Sequence, residues 1–162
     1  MNNAAERRAA KRRSPEANAL VAGVELLEPL LKQAGFSYRS GDSAASSGGP
    51  FANGFFVRDE IELGLIVRSG CRMGVPNYTR GHGYASHHQV LAALGVEKES
   101  MLTQPDHFSY SAKNGGDTFQ ALYEDLRDLV VPFLERSEDD FRAAIDTAAK
   151  EFQDRLRGKT EG

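Results

Sequence analysis

The side chains best suited to chemistry crowd into one stretch, residues 81–89, GHGYASHHQ. There His82, His87 and His88, three of the four histidines, fall within seven positions. Imidazoles at that density suggest metal coordination, acid–base catalysis near neutral pH, or an anion contact. Spacing argues against the first. A helical two-histidine metal site uses i, i+4 positions, as in H-E-x-x-H. His87 and His88 are adjacent, so on a helix they point about 100° apart. Ser86 and Gln89 stand three apart, directly before Val90, Leu91 and Leu94, which is the signature of a capping box. Gly95 stands where a C′ glycine belongs. The spacing therefore predicts a short helix beginning at His87. Neither a metal site nor a cofactor is expected.

A helix start preceded by Arg80 and His82 can bind an anion on its free N–H groups. Arg80, His82, His87 and His88 are therefore the candidate ligand- or anion-binding residues. In the competing reading one histidine packs beneath the helix while the others cap it or face water. Other catalytic signatures are missing: the chain has no G-x-S-x-G and no phosphate-binding P-loop, and GHGYAS lacks the third glycine of G-x-G-x-x-G. Cys71 is the only cysteine, so it can form neither an intramolecular disulfide nor a cysteine cage for zinc. No catalytic residue is assigned.

The elements that would position these residues follow from periodicity. Ser14 as N-cap, Pro15 at the first position and Gly35 as stop bound a helix. Its apolar stripe is Leu20, Val21, Val24, Leu27, Leu30 and Leu31; Pro29 lies inside it, so a kink or a restart is expected near Leu27. From Phe36 the period becomes two. FSYRS reads as a strand, GDSAASSGGP as a Gly/Ser loop, and FANGFFVR and IELGLIVR as a hairpin. VPNYTR reads as a weaker strand, its Pro76 suited to an edge. Residues 95–116 show no clean period and read as a long connection, with HFSY at 107–110 as a short strand or an aromatic plug.

The C-terminal part is helical. Asp117 and Gln120 form a capping pair, Leu122, Leu126, Leu129 and Val130 an apolar stripe, and Pro132 a kink. Ser137 caps a last helix carrying Phe141, Ala144, Ile145, Ala148, Phe152 and Leu156, which Gly158 ends. The expected fold is α+β: an N-terminal helix, an antiparallel meander of three to four strands, a short helix, then C-terminal helices on one face of the sheet. One domain, residues 14–158, lies between a basic, disordered tail of residues 1–13 and a short tail of 159–162.

Charge bounds the partners. The net charge is −3, so bulk charge does not suggest a nucleic-acid binder. Residues 1–13 nevertheless hold five bases against one acid, and Arg7, Arg8, Lys11, Arg12 and Arg13 offer a nucleic-acid contact. Residues 117–157 hold eleven acids against six bases. No apolar run is long enough for a membrane span, and the lone cysteine fits a reducing cytoplasm.

The segments FANGFFVRDEIELGLIVR, NYTRGHGYASHHQVLAALG, FQALYEDLRDLVVPFL and DDFRAAI, taken in order, resemble a group of small bacterial proteins of unknown function over residues 20–146. In that resemblance the histidine opening the short helix corresponds to His87. The resemblance implies no activity. The expectation from the whole sequence is a non-catalytic, macromolecule-binding domain of partner- or immunity-type, with another protein as partner. Its candidate contacts are Asp139 and Asp140 on the acidic helix and Arg68 on the sheet. The alternative is a small enzyme or anion-binding protein built on residues 80–88.

Overall fold

Alternation decides the centre of the molecule. In β3 (Ile61–Arg68), Ile61, Leu63, Leu65 and Val67 are buried, and the residues between them are less so. A period of two places those four on one face of a pleated strand. The computed structural model describes residues 4–96 and 119–160. It pairs β3 antiparallel with β2 (Gly49–Arg58) on one side and β5 (Asn77–Arg80) on the other, with a short β4 (Arg72–Met73) beside the end of β3. β1 (Ser37–Ser46) and β6 (Gly83–Ser86) complete the order β1-β2-β3-β5-β6. Cross-strand partners Tyr38–Phe56–Leu63–Tyr78–Ala85 line up across all five strands. Directly opposed residues project to the same face, so this row marks the inner side of the sheet.

Helices cover that inner side. α2 (Pro15–Gln33) packs on β2 and β3, while α6 (Glu138–Thr160) packs on β5 and β6. α3 (His87–Ala93) sits between β6 and α6. α4 (Gln120–Asp125), a π turn (Leu126–Val130) and α5 (Val131–Arg136) lead into α6. The core joins Leu27 and Leu31 of α2, Phe56, Leu63 and Tyr78 of the sheet, and Leu91, Leu122 and Phe141 of the later helices, all fully buried. Burial of each large apolar side chain contributes about 1.5–3 kcal/mol. The molecule is thus the expected α+β fold, and no helix among the described residues is long and apolar enough to cross a membrane.

The caps formed by neighbours in sequence are present. Ser14 Oγ accepts from Ala17 N–H at 3.1 Å, and Gly35 ends α2 at φ +87°, with Phe36 N–H donating to Leu31 O. Ser137 Oγ accepts from Asp140 N–H at the start of α6.

Other expectations need correction. Among the described residues the sheet has five strands in its main path and a sixth, β4, against the three to four expected. GDSAASSGGP belongs mostly to β1, and β2 takes in its last two residues. β1 carries almost no apolar residues and owes its extension to the ladder with β2. β5 is an inner strand, because β6 pairs outside it and Pro76 stands just before it. α2 runs unbroken through Pro29, because buried Val24, Leu27 and Leu31 hold both halves of the helix against the core. Residues Ala4–Arg12 form a helix, α1. α6 passes through Gly158, where an added side chain would meet nothing. Pro132 sits in the first turn of α5, where a missing N–H is tolerated, and the disturbance falls just before it as the π turn. The 95–116 connection beyond Val96, its HFSY segment and the Asp117 cap lie outside the described residues.

Candidate functional site

The capping box that opens α3 is complete. Gln89 N–H donates to Ser86 Oγ at 3.3 Å, and Ser86 N–H donates to Gln89 Oε1 at 2.9 Å. Gly95 follows at φ +83°, and Val96 N–H donates to Leu91 O at 3.0 Å, closing the helix. Local chemistry thus places both histidines in the first turn of α3. The tertiary structure then turns His87 inward until none of it is exposed.

His87 lies in a buried polar chain. Its Nε2 is 3.0 Å from Asp125 Oδ2, and its Nδ1 is 3.0 Å from Tyr78 Oη. Asp125 is 2% exposed and Tyr78 fully buried. A carboxylate can only accept, so Nε2 carries a proton and donates to Asp125. Nδ1 faces the Tyr78 hydroxyl, which can donate to it or accept from it. Burial, reinforced by the nearby Asp125, holds the Tyr78 hydroxyl well above the ordinary phenol range. Tyr78 therefore keeps its proton.

His88 is 8% exposed, its ring 6.4 Å from that of His87. Desolvation, followed by the charge of His87, pushes it down to about 4, against a smaller opposing effect of Asp125. The ring is therefore neutral near pH 7.

The four residues named from the sequence do not form one pocket. His87 and His88 are in the core, His82 is exposed in the β5–β6 turn, and Arg80 is committed elsewhere. The Arg80 guanidinium contacts Asp146 of α6 and lies 3.3 Å from Glu60. Among the described residues no group of three or more His, Cys, Asp or Glu side chains is arranged to hold a metal ion. The buried chain ties β5, α3 and α4 together, with Tyr78 and His87 fully enclosed.

The converging exposed charges lie at the opposite end of the sheet from Arg68. Asp59 and Glu60, in the β2–β3 turn, are 67% and 66% exposed. Arg142 of α6 reaches Asp59 at 3.8 Å and Glu138 at 3.0 Å, and Arg58 reaches the same Glu138 at 3.5 Å. Arg80 joins Glu60 to Asp146. These arginines are mostly covered, and their ion pairs fasten the turn to α6. Asp139 and Asp140 stand exposed in the first turn of α6. Asp59 and Glu60 of the turn thus meet Glu138 and Asp146 of α6 through Arg142 and Arg80. Arg68, at the other end of the eight-residue β3, is roughly 23 Å away along the strand from Ile61.

Arg7, Arg8 and Arg13 are exposed, the first two on α1, and Lys11 and Arg12 belong to the same helix. Sequence reasoning missed Asp125 and Tyr78 as partners of His87. One signal was legible: Asp125 follows Leu122 by three and Ala121 by four, a carboxylate on an apolar stripe. No protein-family model, curated protein or solved structure matches this chain.

Proposed function

We propose that the chain is a non-catalytic domain that binds a basic partner protein through the surface built from the β2–β3 turn and the start of α6. The observation that carries this reading is the meeting of exposed Asp59 and Glu60 with Glu138 and Asp146 of α6 through bridging arginines, with exposed Asp139 and Asp140 next to Glu138 in the chain. Arg80 and Arg142 hold the two segments together. Like charges arranged in advance suit a partner that brings the opposite sign, because complementarity speeds encounter and rejects other partners. The enclosure of His87 and His88 weighs against the ligand-binding alternative on residues 80–88. A reducing cytoplasm suits the free thiol of Cys71.

The test begins with the partner captured by the purified chain from its native host, followed by calorimetry on the isolated pair. Asp139→Lys with Asp140→Lys lowers affinity by about tenfold or more, and added salt weakens the unaltered pair. Unchanged affinity in the double variant removes this surface as the binding site.

A further inference from the structure

α1 stands apart from the core. A cleft lined by Glu6 and Arg7 on one side and Asn18, Val21 and Glu25 on the other separates it from α2. Arg7 and Arg8 on α1, and Arg13 just beyond it, are exposed, and among the described residues none of the three forms an ion pair. Arg58, Arg80 and Arg142 differ, since each is held by an acid of α6. At 3.6 residues per turn, positions 7, 8, 11 and 12 fall within one arc of about 140°. Glu6, the only acid of α1, falls outside that arc. The helix thus sets four basic positions along one stripe.

We propose that α1 is a docking helix for double-stranded DNA, held by contacts to the phosphates. This site is separate from the acidic surface. α2 runs for 19 residues, about 28 Å, from its cap at Ser14 beside α1 toward Ala34, whose carbonyl accepts from Arg58 of the acidic end at 2.7 Å. Charges that far apart are screened from each other at physiological salt, where the Debye length is about 8 Å. The overall charge of −3 therefore does not cancel the stripe.

The composition of α1 selects the occupant. Its sequence, AAERRAAKR, holds no aromatic side chain, and the bases of a single strand need aromatic faces to stack on. It holds no apolar residue larger than alanine to sink into a lipid surface. What remains is a density of cations on a nine-residue rod. A helix is about 10–12 Å across with its side chains, and the major groove of B-form DNA is about 12 Å wide, so the rod fits between two rows of phosphates. The corresponding groove of duplex RNA is too narrow to admit it. Phosphate contacts carry no sequence information, so binding is expected to be indifferent to base sequence.

The experiment is fluorescence anisotropy of a labelled DNA duplex titrated with the full chain over about 50–200 mM salt. The expected result is micromolar binding at the low end, with log K falling against log salt at a slope of about −4. Arg7→Ala with Arg8→Ala weakens binding by about tenfold or more and makes the slope shallower by about 2. Arg7→Lys with Arg8→Lys keeps both, because a phosphate contact needs the charge and not the guanidinium fork. The matching single strand, a duplex RNA and phosphatidylserine vesicles all bind more weakly than the DNA duplex. Failure of the duplex to bind at the lowest salt overturns the proposal, as does equal or tighter binding of any of those three. Unchanged binding in the alanine variant overturns it too, since the contact then lies off α1. Circular dichroism confirms that each variant is folded. On the unaltered chain the duplex slows hydrogen exchange of residues 4–12, and the absence of that protection overturns the proposal without recourse to any variant.

Discussion

His87 Nε2 lies 3.0 Å from Asp125 Oδ2, across 38 residues of sequence and with neither side chain more than 2% exposed. This contact joins the start of α3 to the end of α4, where the π turn begins. A buried polar pair is costly to break, because the partner left behind loses both water and its hydrogen bond.

Asp125→Ala strands the Nε2–H of His87 in the core. The expected loss is about 2–4 kcal/mol of unfolding free energy. Urea denaturation followed by circular dichroism measures it. A loss below about 0.5 kcal/mol would show that the pair carries no weight.

Tyr78→Phe is a milder change. The ring keeps its edge-on contact with Phe141, 5.5 Å between centroids, and only the hydroxyl that satisfies His87 Nδ1 is lost. The expected cost is about 1–2 kcal/mol, smaller than that of Asp125→Ala. The order of the two variants in one denaturation series is the check, and the reverse order contradicts the donor assignment made for His87.

Stability depends on pH through His88. Its folded value, pushed down to about 4, lies below the ordinary 6.5. Between those values the unfolded chain binds more protons than the folded one, so this contribution to stability rises with pH. It is fully present above about pH 6.5, falls away as pH drops toward 4, and is worth about 3 kcal/mol over that window. Unfolding free energies from pH 7 to 4 measure the slope. His88→Gln flattens it, and an unchanged slope in that variant assigns the effect to other groups.

Gly23→Ala tests a close approach. Alanine ordinarily improves a helix by about 1 kcal/mol over glycine. A Cβ at position 23 of α2 would collide with the Phe119 ring, which is itself 3% exposed. Overpacking costs about 1–3 kcal/mol, so the net effect is expected to be a loss. Thermal unfolding checks the sign, and a raised Tm would show that Phe119 yields without cost.

Much of the chain was legible wherever the signal was local. Ser14, Gly35, Ser86 with Gln89, Gly95 and Ser137 mark helix ends through hydrogen bonds a few residues long. The alternation of Ile61, Leu63, Leu65 and Val67 shows which face of β3 is inner. The first part of β1 was legible in FSYRS, but residues 41–46 were not, because their exposed Ser, Gly and Ala residues carry no hydrophobic period and only β2 makes them a strand. The π turn left a fainter trace. The buried pairs 125/126 and 130/131 are five apart, one residue more than an α-helix allows on one face.

The histidine cluster divides along the same line. The amino-acid sequence by itself determined that His87 and His88 open a helix, since a capping box needs only residues three apart. It also determined that two adjacent histidines there diverge. Only the tertiary structure decided that His87 is enclosed between Tyr78 and Asp125, that Arg80 turns away to Glu60 and Asp146, and that His82 stays in water. The reason is physical. Capping and alternation are set by neighbours along the chain, whereas burial and pairing depend on which distant segments the packed core brings together.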